Sequence, residues 1–176
     1  MSDVRPITGS PSKPRAAVSW SGGKDSCAAL LRARATFDVV SMVTMFDEEA
    51  ARSRSHGLRP EILAAQADRL GLRRVTGRCT WDTYDRAFSQ ALETLAAEGT
   101  THVIFGDILF EEHRHWAERM CAASGLTAVE PLWGSSTEAL FDTAVVDTPL
   151  FSSPLCVREN GRVKRSDCWA LDLLPC

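Results

Sequence analysis

One joint in the chain constrains its fold more than any other feature. Ala16-Ala17-Val18 leads into Ser19-Trp20-Ser21-Gly22-Gly23-Lys24-Asp25-Ser26, and an alanine- and leucine-rich run with helical spacing follows. A short apolar strand thus hands over to a helix through two glycines, three hydroxyls, a lysine and an aspartate. A helix N-terminus offers unpaired N–H groups and partial positive charge, and glycines let the backbone close around an oxyanion. The joint therefore reads as a phosphate cradle. Lys24 adds charge, and Ser21 and Ser26 add donors. Asp25 fits either an N-terminal helix cap or, through water, a magnesium ligand. The common P-loop is excluded, because it needs a glycine where Val18 stands.

The rest of the chain repeats this alternation. The patterning predicts strands over 16–20, 39–45, 72–79, 101–108 and 127–133. Between them it predicts helices over 25–35, 56–70, 82–98 and 111–124. Strand–helix units at this spacing imply a Rossmann-like, doubly wound parallel five-stranded sheet, an α/β fold with helices on both faces. After Trp133 the pattern breaks. "FDTAVVD" looks like a strand, and two further strand-like runs flank Asn160-Gly161, the strongest short signal for a tight hairpin. The expected organisation is a disordered lead over 1–15, a nucleotide-binding domain over 16–134 and a small β-hairpin unit over 135–176.

The chain has 176 residues and a net charge of -3, with its arginines scattered, which argues against a nucleic-acid partner. No run approaches a membrane span or a signal-peptide core, so the expected compartment is the cytoplasm. The six cysteines have no C-x-x-C spacing. Zinc and redox motifs are not expected, and without an export signal buried reduced thiols are the expectation.

The string S-x-S-G-G-x-D-S over 19–26 resembles the PP-loop of the ATP pyrophosphatase superfamily. "SHGLRPEILAAQADRLGL", "FGDILFEEHRHWAE" and "GLTAVEPLWG" narrow the resemblance to the diphthine–ammonia ligase family, over about 15–134 and in family order. "FDTAVVDTPLF" resembles the family's later strand, but a glutamate–glycine motif that precedes it there is missing. Thr137 and Leu140 stand at its two glutamate positions. The resemblance implies an ATP-dependent, AMP-forming ligase that adenylates an acceptor carboxylate, such as a protein side chain, and forms an amide with ammonia. It implies ATP and Mg²⁺, bound by Ser19, Ser21, Gly22, Gly23, Lys24, Asp25, Ser26, His56, Gly106 and Asp107; Trp20, in the loop, and Met45, on the second strand, would line the nucleotide pocket or else fill the core. Lys24, Asp25 and Asp107 would act in catalysis, and no side-chain metal cluster is assigned. Arg59, one turn beyond His56, would neutralise pyrophosphate or stand solvated at the surface. Two alternatives stay open: a nucleotide-binding module without turnover, and another PP-loop enzyme that modifies RNA or transfers sulfur. The hairpin edge offers a strand for homodimer pairing.

Overall fold

The computed structural model describes residues 12–135, 148–165 and 168–176. In chain order the elements are β1 (Arg15–Ser19), α1 (Lys24–Ala33), β2 (Asp38–Phe46), α2 (Pro60–Leu70), β3 (Arg73–Arg78), α3 (Tyr84–Ala97), β4 (His102–Ile104), α4 (Glu111–Ala123), β5 (Thr127–Val129), β6 (Val157–Arg165) and β7 (Cys168–Pro175). The first five strands form one sheet in the order β3-β2-β1-β4-β5, every neighbouring pair parallel. β6 and β7 form a separate antiparallel pair. The doubly wound sheet and the appended hairpin expected from the sequence are both present.

The central strand shows why the sheet is parallel and covered on both sides. Ala16, Ala17 and Val18 are all fully buried. Ala16 and Val18 face α1 and α2, packing with Leu30, Ile62 and Leu63. Ala17 faces α3 and α4, packing with Phe88, Leu92 and Cys121. Small residues on β1 let both layers approach, which a strand with one wet face would not need. The strand order reverses between β1 and β4, and in a doubly wound sheet that switch point is where a crevice at the carboxyl ends would lie.

Several boundaries differ from the sequence reading. The helix expected from His56 starts at Pro60, with Arg59 in extended conformation as its cap. Proline suits the first helical turn, and the residue before it is pushed out of helical space. Residues 53–58 instead close on themselves: Ser53 N donates to Leu58 O at 2.9 Å and Leu58 N to Ser53 Oγ at 3.1 Å. β5 stops at Val129, where Pro131 opens a turn. The "FDTAVVD" strand and the Thr137 and Leu140 positions fall outside the described residues.

Two expectations about the tail are overturned. Asn160-Gly161 is not the hairpin turn; it lies within β6 as a bulge, between Glu159 paired with Leu173 and Arg162 paired with Leu171. Two residues there oppose Asp172 alone, and Gly161 takes φ +103°, which a side chain resists. Positive φ is what made Asn-Gly a turn signal, and a bulge uses it equally well. Cys156 and Cys176 form a disulfide rather than free thiols. Register explains it: the two residues flank the paired strand ends Val157 and Pro175, their Cα atoms lie 5.4 Å apart, and Cys176 N donates to Cys156 O at 3.2 Å. Cys27, Cys79 and Cys121 are free and buried.

A strap of residues 148–155 leads to the hairpin and packs on the α1–α2 layer. Phe151 and Leu155 are buried there, and Ser152 N donates to Arg69 O at 3.0 Å. No described helix is long and apolar enough to cross a membrane.

Candidate functional site

The carboxyl end of β1 runs into a tight loop. Ser21 Oγ lies 3.1 Å from Ser26 Oγ and accepts from Gly23 N at 3.3 Å. Ser26 Oγ donates to Gly23 O at 3.0 Å. The two hydroxyls thus brace the glycine turn from both ends. Gly23 caps α1, with no side chain serving as cap. Asp25 is therefore the second residue of the helix and not its cap. Its Oδ2 pairs with Lys24 Nζ at 3.1 Å, while Oδ1 is buried and has no hydrogen-bond partner. A buried carboxylate oxygen left unpaired costs free energy unless something satisfies it. A hydrated divalent cation beside phosphates fits that role, so the donor set is compatible with magnesium.

Gly106 closes the other wall. A Cβ placed there would lie 2.9 Å from the Asp25 carbonyl carbon and 2.9 Å from Ser26 N. The end of β4 therefore presses against the first turn of α1, and only a glycine permits it. Asp107 follows at the rim, about a third exposed, with its Oδ1 3.1 Å from His113 Nδ1. His115 has a different neighbour, Glu111, at 3.9 Å, so the two histidines of α4 serve separate carboxylates.

The third wall is the 53–58 loop after β2. A Cβ on Gly23 would meet the His56 ring, 2.4 Å from Nε2, and a Cβ on Gly22 would meet Leu58 at 2.4 Å. His56 thus lies directly against the glycine turn. Arg59 does not reach for phosphate: its Nε and Nη2 donate to Asp172 of β7 at 2.8 and 2.7 Å.

Ser19, Ser21, Gly22, Gly23, Lys24, Asp25, Ser26, His56, Gly106 and Asp107 are thereby gathered at one edge of the sheet. Two expected binding residues are not free to contribute side chains. Trp20 is 2% exposed, and its indole N–H donates to Gln66 Oε1 at 2.8 Å inside the core. Met45 is 4% exposed, with its sulfur packed over Gly77. Both are large apolar groups whose burial outweighs contact with a polar ligand. Trp116 is likewise spent on packing, stacked obliquely on Phe88 with its N–H donated to Asp85.

Two acids at the site's periphery escaped sequence reasoning. Glu130 follows β5, with its carboxylate 3.5 Å from Arg114 and Oε1 buried without a hydrogen-bond partner. Burial first, and the nearby Asp107 charge second, push its pKa up. Asp172 is held well below the usual carboxylate range by hydrogen bonds from Arg59 and Arg52. The signal for Asp172 was present: a lone acid inside the apolar run WALDLL. Three exposed apolar side chains, Trp81, Leu109 and Phe110, also follow the ends of β3 and β4.

A family model described as diphthamide synthase N-terminal domain matches residues 14–128 of this chain. No match to a curated protein was found. The matched span holds the whole five-stranded sheet but for its last residue, the glycine loop and the 53–58 loop; the strap and hairpin lie beyond it.

Proposed function

The chain belongs to the diphthamide synthase N-terminal domain family, a PP-loop ATPase type, and from that premise we propose that it binds ATP with Mg²⁺ and forms an amide from a carboxylate and ammonia. The observation that carries this reading is the cradle of Ser21–Ser26, walled by Gly106 on one side and His56 on the other. Lys24 and the amides of the first turn of α1 suit the polyphosphate. The Asp25 carboxylate would hold a magnesium ion through water. The ion, when bound, supplies positive charge to phosphate oxygens.

In the proposed reaction an acceptor carboxylate oxygen attacks the α-phosphorus. The bond to the bridging oxygen breaks, and pyrophosphate leaves. Ammonia then attacks the acyl carbon of the adenylate, loses a proton, and AMP leaves with its phosphate oxygen. No protein nucleophile takes part. The chain's work is to align the reactants and to neutralise charge on the leaving pyrophosphate, which falls to Lys24 and the loop amides. Asp107, beyond the end of β4 beside the loop, would contact the acceptor. The exposed Leu109 and Phe110, two and three residues after Asp107, support an acceptor carried on a protein rather than a small free acid, since adjacent exposed apolar side chains favour a protein contact.

The test is to incubate the protein with α-labelled ATP, Mg²⁺ and ammonium, with cell extract as acceptor source, and to separate the nucleotides. AMP and pyrophosphate are expected, with Asp25→Ala slowing AMP formation about 100-fold. ADP as product would overturn the reading. Tight ATP binding with no AMP would instead favour a nucleotide-binding module without turnover.

A further inference from the structure

Asp172 lies in β7, beyond the residues matched by the family, yet it anchors a wall of the candidate site. It is 3% exposed. Its Oδ1 accepts from Arg52 Nη1 at 2.6 Å and Arg59 Nε at 2.8 Å, and its Oδ2 accepts from Arg59 Nη2 at 2.7 Å and Asn160 Nδ2 at 2.9 Å. A carboxylate this buried is tolerated only with such a complete set of donors. The bulge at Asn160-Gly161 serves the same end, because it sets Asn160 opposite Asp172.

The two arginines are not scattered along the chain. They bracket the 53–58 loop, one on each side. Arg52 Nη1 also donates to Gly57 O at 3.2 Å, inside the bracket. His56 and Leu58, which touch the glycine turn alongside Leu63 and Gln66 of α2, both belong to this bracketed loop. Pinning both ends of a short self-bonded loop to one buried group removes most of its freedom to lift away.

We propose that Asp172 is a positioning residue for the phosphate site: by holding Arg52 and Arg59 it keeps the 53–58 loop, and His56 with it, seated on Gly22 and Gly23. The functional half of this inference rests on reading Ser21–Ser26 as a polyphosphate seat; the structural half does not. The hairpin is then part of the site's support, and Arg59 spends its charge on Asp172 instead of on pyrophosphate.

The experiment compares wild type with Asp172→Asn, Arg59→Gln and the double variant. One readout is the His56 ring resonance, assigned with His56→Gln, without nucleotide. The other is the dissociation constant for Mg-ATP. Asp172→Asn is expected to move the His56 resonance and weaken Mg-ATP binding about tenfold, as misplacement of a contact residue does. Arg59→Gln should add little on top of Asp172→Asn, because both break one bracket. Should Asp172→Asn fail to fold, Arg59→Gln alone carries the same expectation from a partly exposed site. A His56 resonance and an ATP affinity both unchanged in a folded variant would overturn the proposal. Wild type that binds no nucleotide would overturn the reading of the cradle, while the His56 resonance would still decide whether Asp172 seats the loop.

Discussion

The glycine cradle and the C-terminal hairpin flank the same 53–58 loop, yet they are held together by different physics. The cradle is a matter of backbone and steric room. Its decisive contacts are a missing Cβ at Gly106, hydroxyls within five residues of each other, and a helix start. The hairpin relies on long-range side-chain bonds: a disulfide across 20 residues, and ion pairs from Asp172 to residues 113 and 120 positions away. Strands β1, β2 and β4 are largely buried among packed helices, whereas among the described residues the hairpin pairs only with itself and leans on α2 and the loop. Local, backbone-built sites are specified by a short motif. Sites propped by remote side chains depend on the whole chain reaching its register.

That contrast can be broken at either end. The largest effect is expected from removing the disulfide. In the chain-entropy model, opening a loop of this length costs about 3 kcal/mol. Cys156→Ser with Cys176→Ser, or a thiol reductant, should therefore lower hydrogen-exchange protection in β6 and β7 roughly 100-fold while the five-stranded sheet keeps its protection. Equal loss in both regions would show that the two are one cooperative unit.

Next comes Gly106→Ala. The added methyl meets backbone rather than a movable side-chain end, so overpacking should cost about 1–3 kcal/mol. Thermal unfolding would register that loss, and Mg-ATP affinity should fall with it, because β4 and α1 are forced apart at the cradle. A variant with native melting temperature and affinity would mean that this wall is softer than its spacing implies.

The smallest effect is the response to acid. Asp172 has its pKa lowered by Arg59 and Arg52. The stability it contributes is thus present above its unfolded value, about 4, and is lost as pH falls below that value toward the folded one. The hairpin and the 53–58 loop should loosen below about pH 4, before the central sheet does. Amide exchange followed between pH 6 and pH 3 measures the order; loosening that began above pH 5 would point to another group.

The alternation of apolar strands and helices was legible because each element carries its own period. The strand read over 16–20 is β1, Arg15–Ser19, whereas the order of the strands came from the structure. His56 and Gly106 were legible as site residues only through motif resemblance, and the structure brings both to the glycine turn. For Trp20 and Met45 only the structure separated core from pocket, because an aromatic or a thioether beside a motif looks alike in sequence whether it faces ligand or core. The start of α2 was misjudged because residues 53–58 fold back on themselves through Ser53 and through Gly57, at φ +66°, inside the bracket at Arg52 and Arg59.

By itself the sequence determined the parallel sheet, the place of the glycine cradle and the helix that receives it, since propensity, apolar period and steric demand act over a few neighbouring residues. Only the tertiary structure decided the partners of Arg59, the bulge at Asn160-Gly161, the Cys156–Cys176 bond and the seat of His56. Each of those depends on groups far apart in the chain meeting in one register, and pairing at such separations is fixed by the packing of the whole rather than by any local pattern.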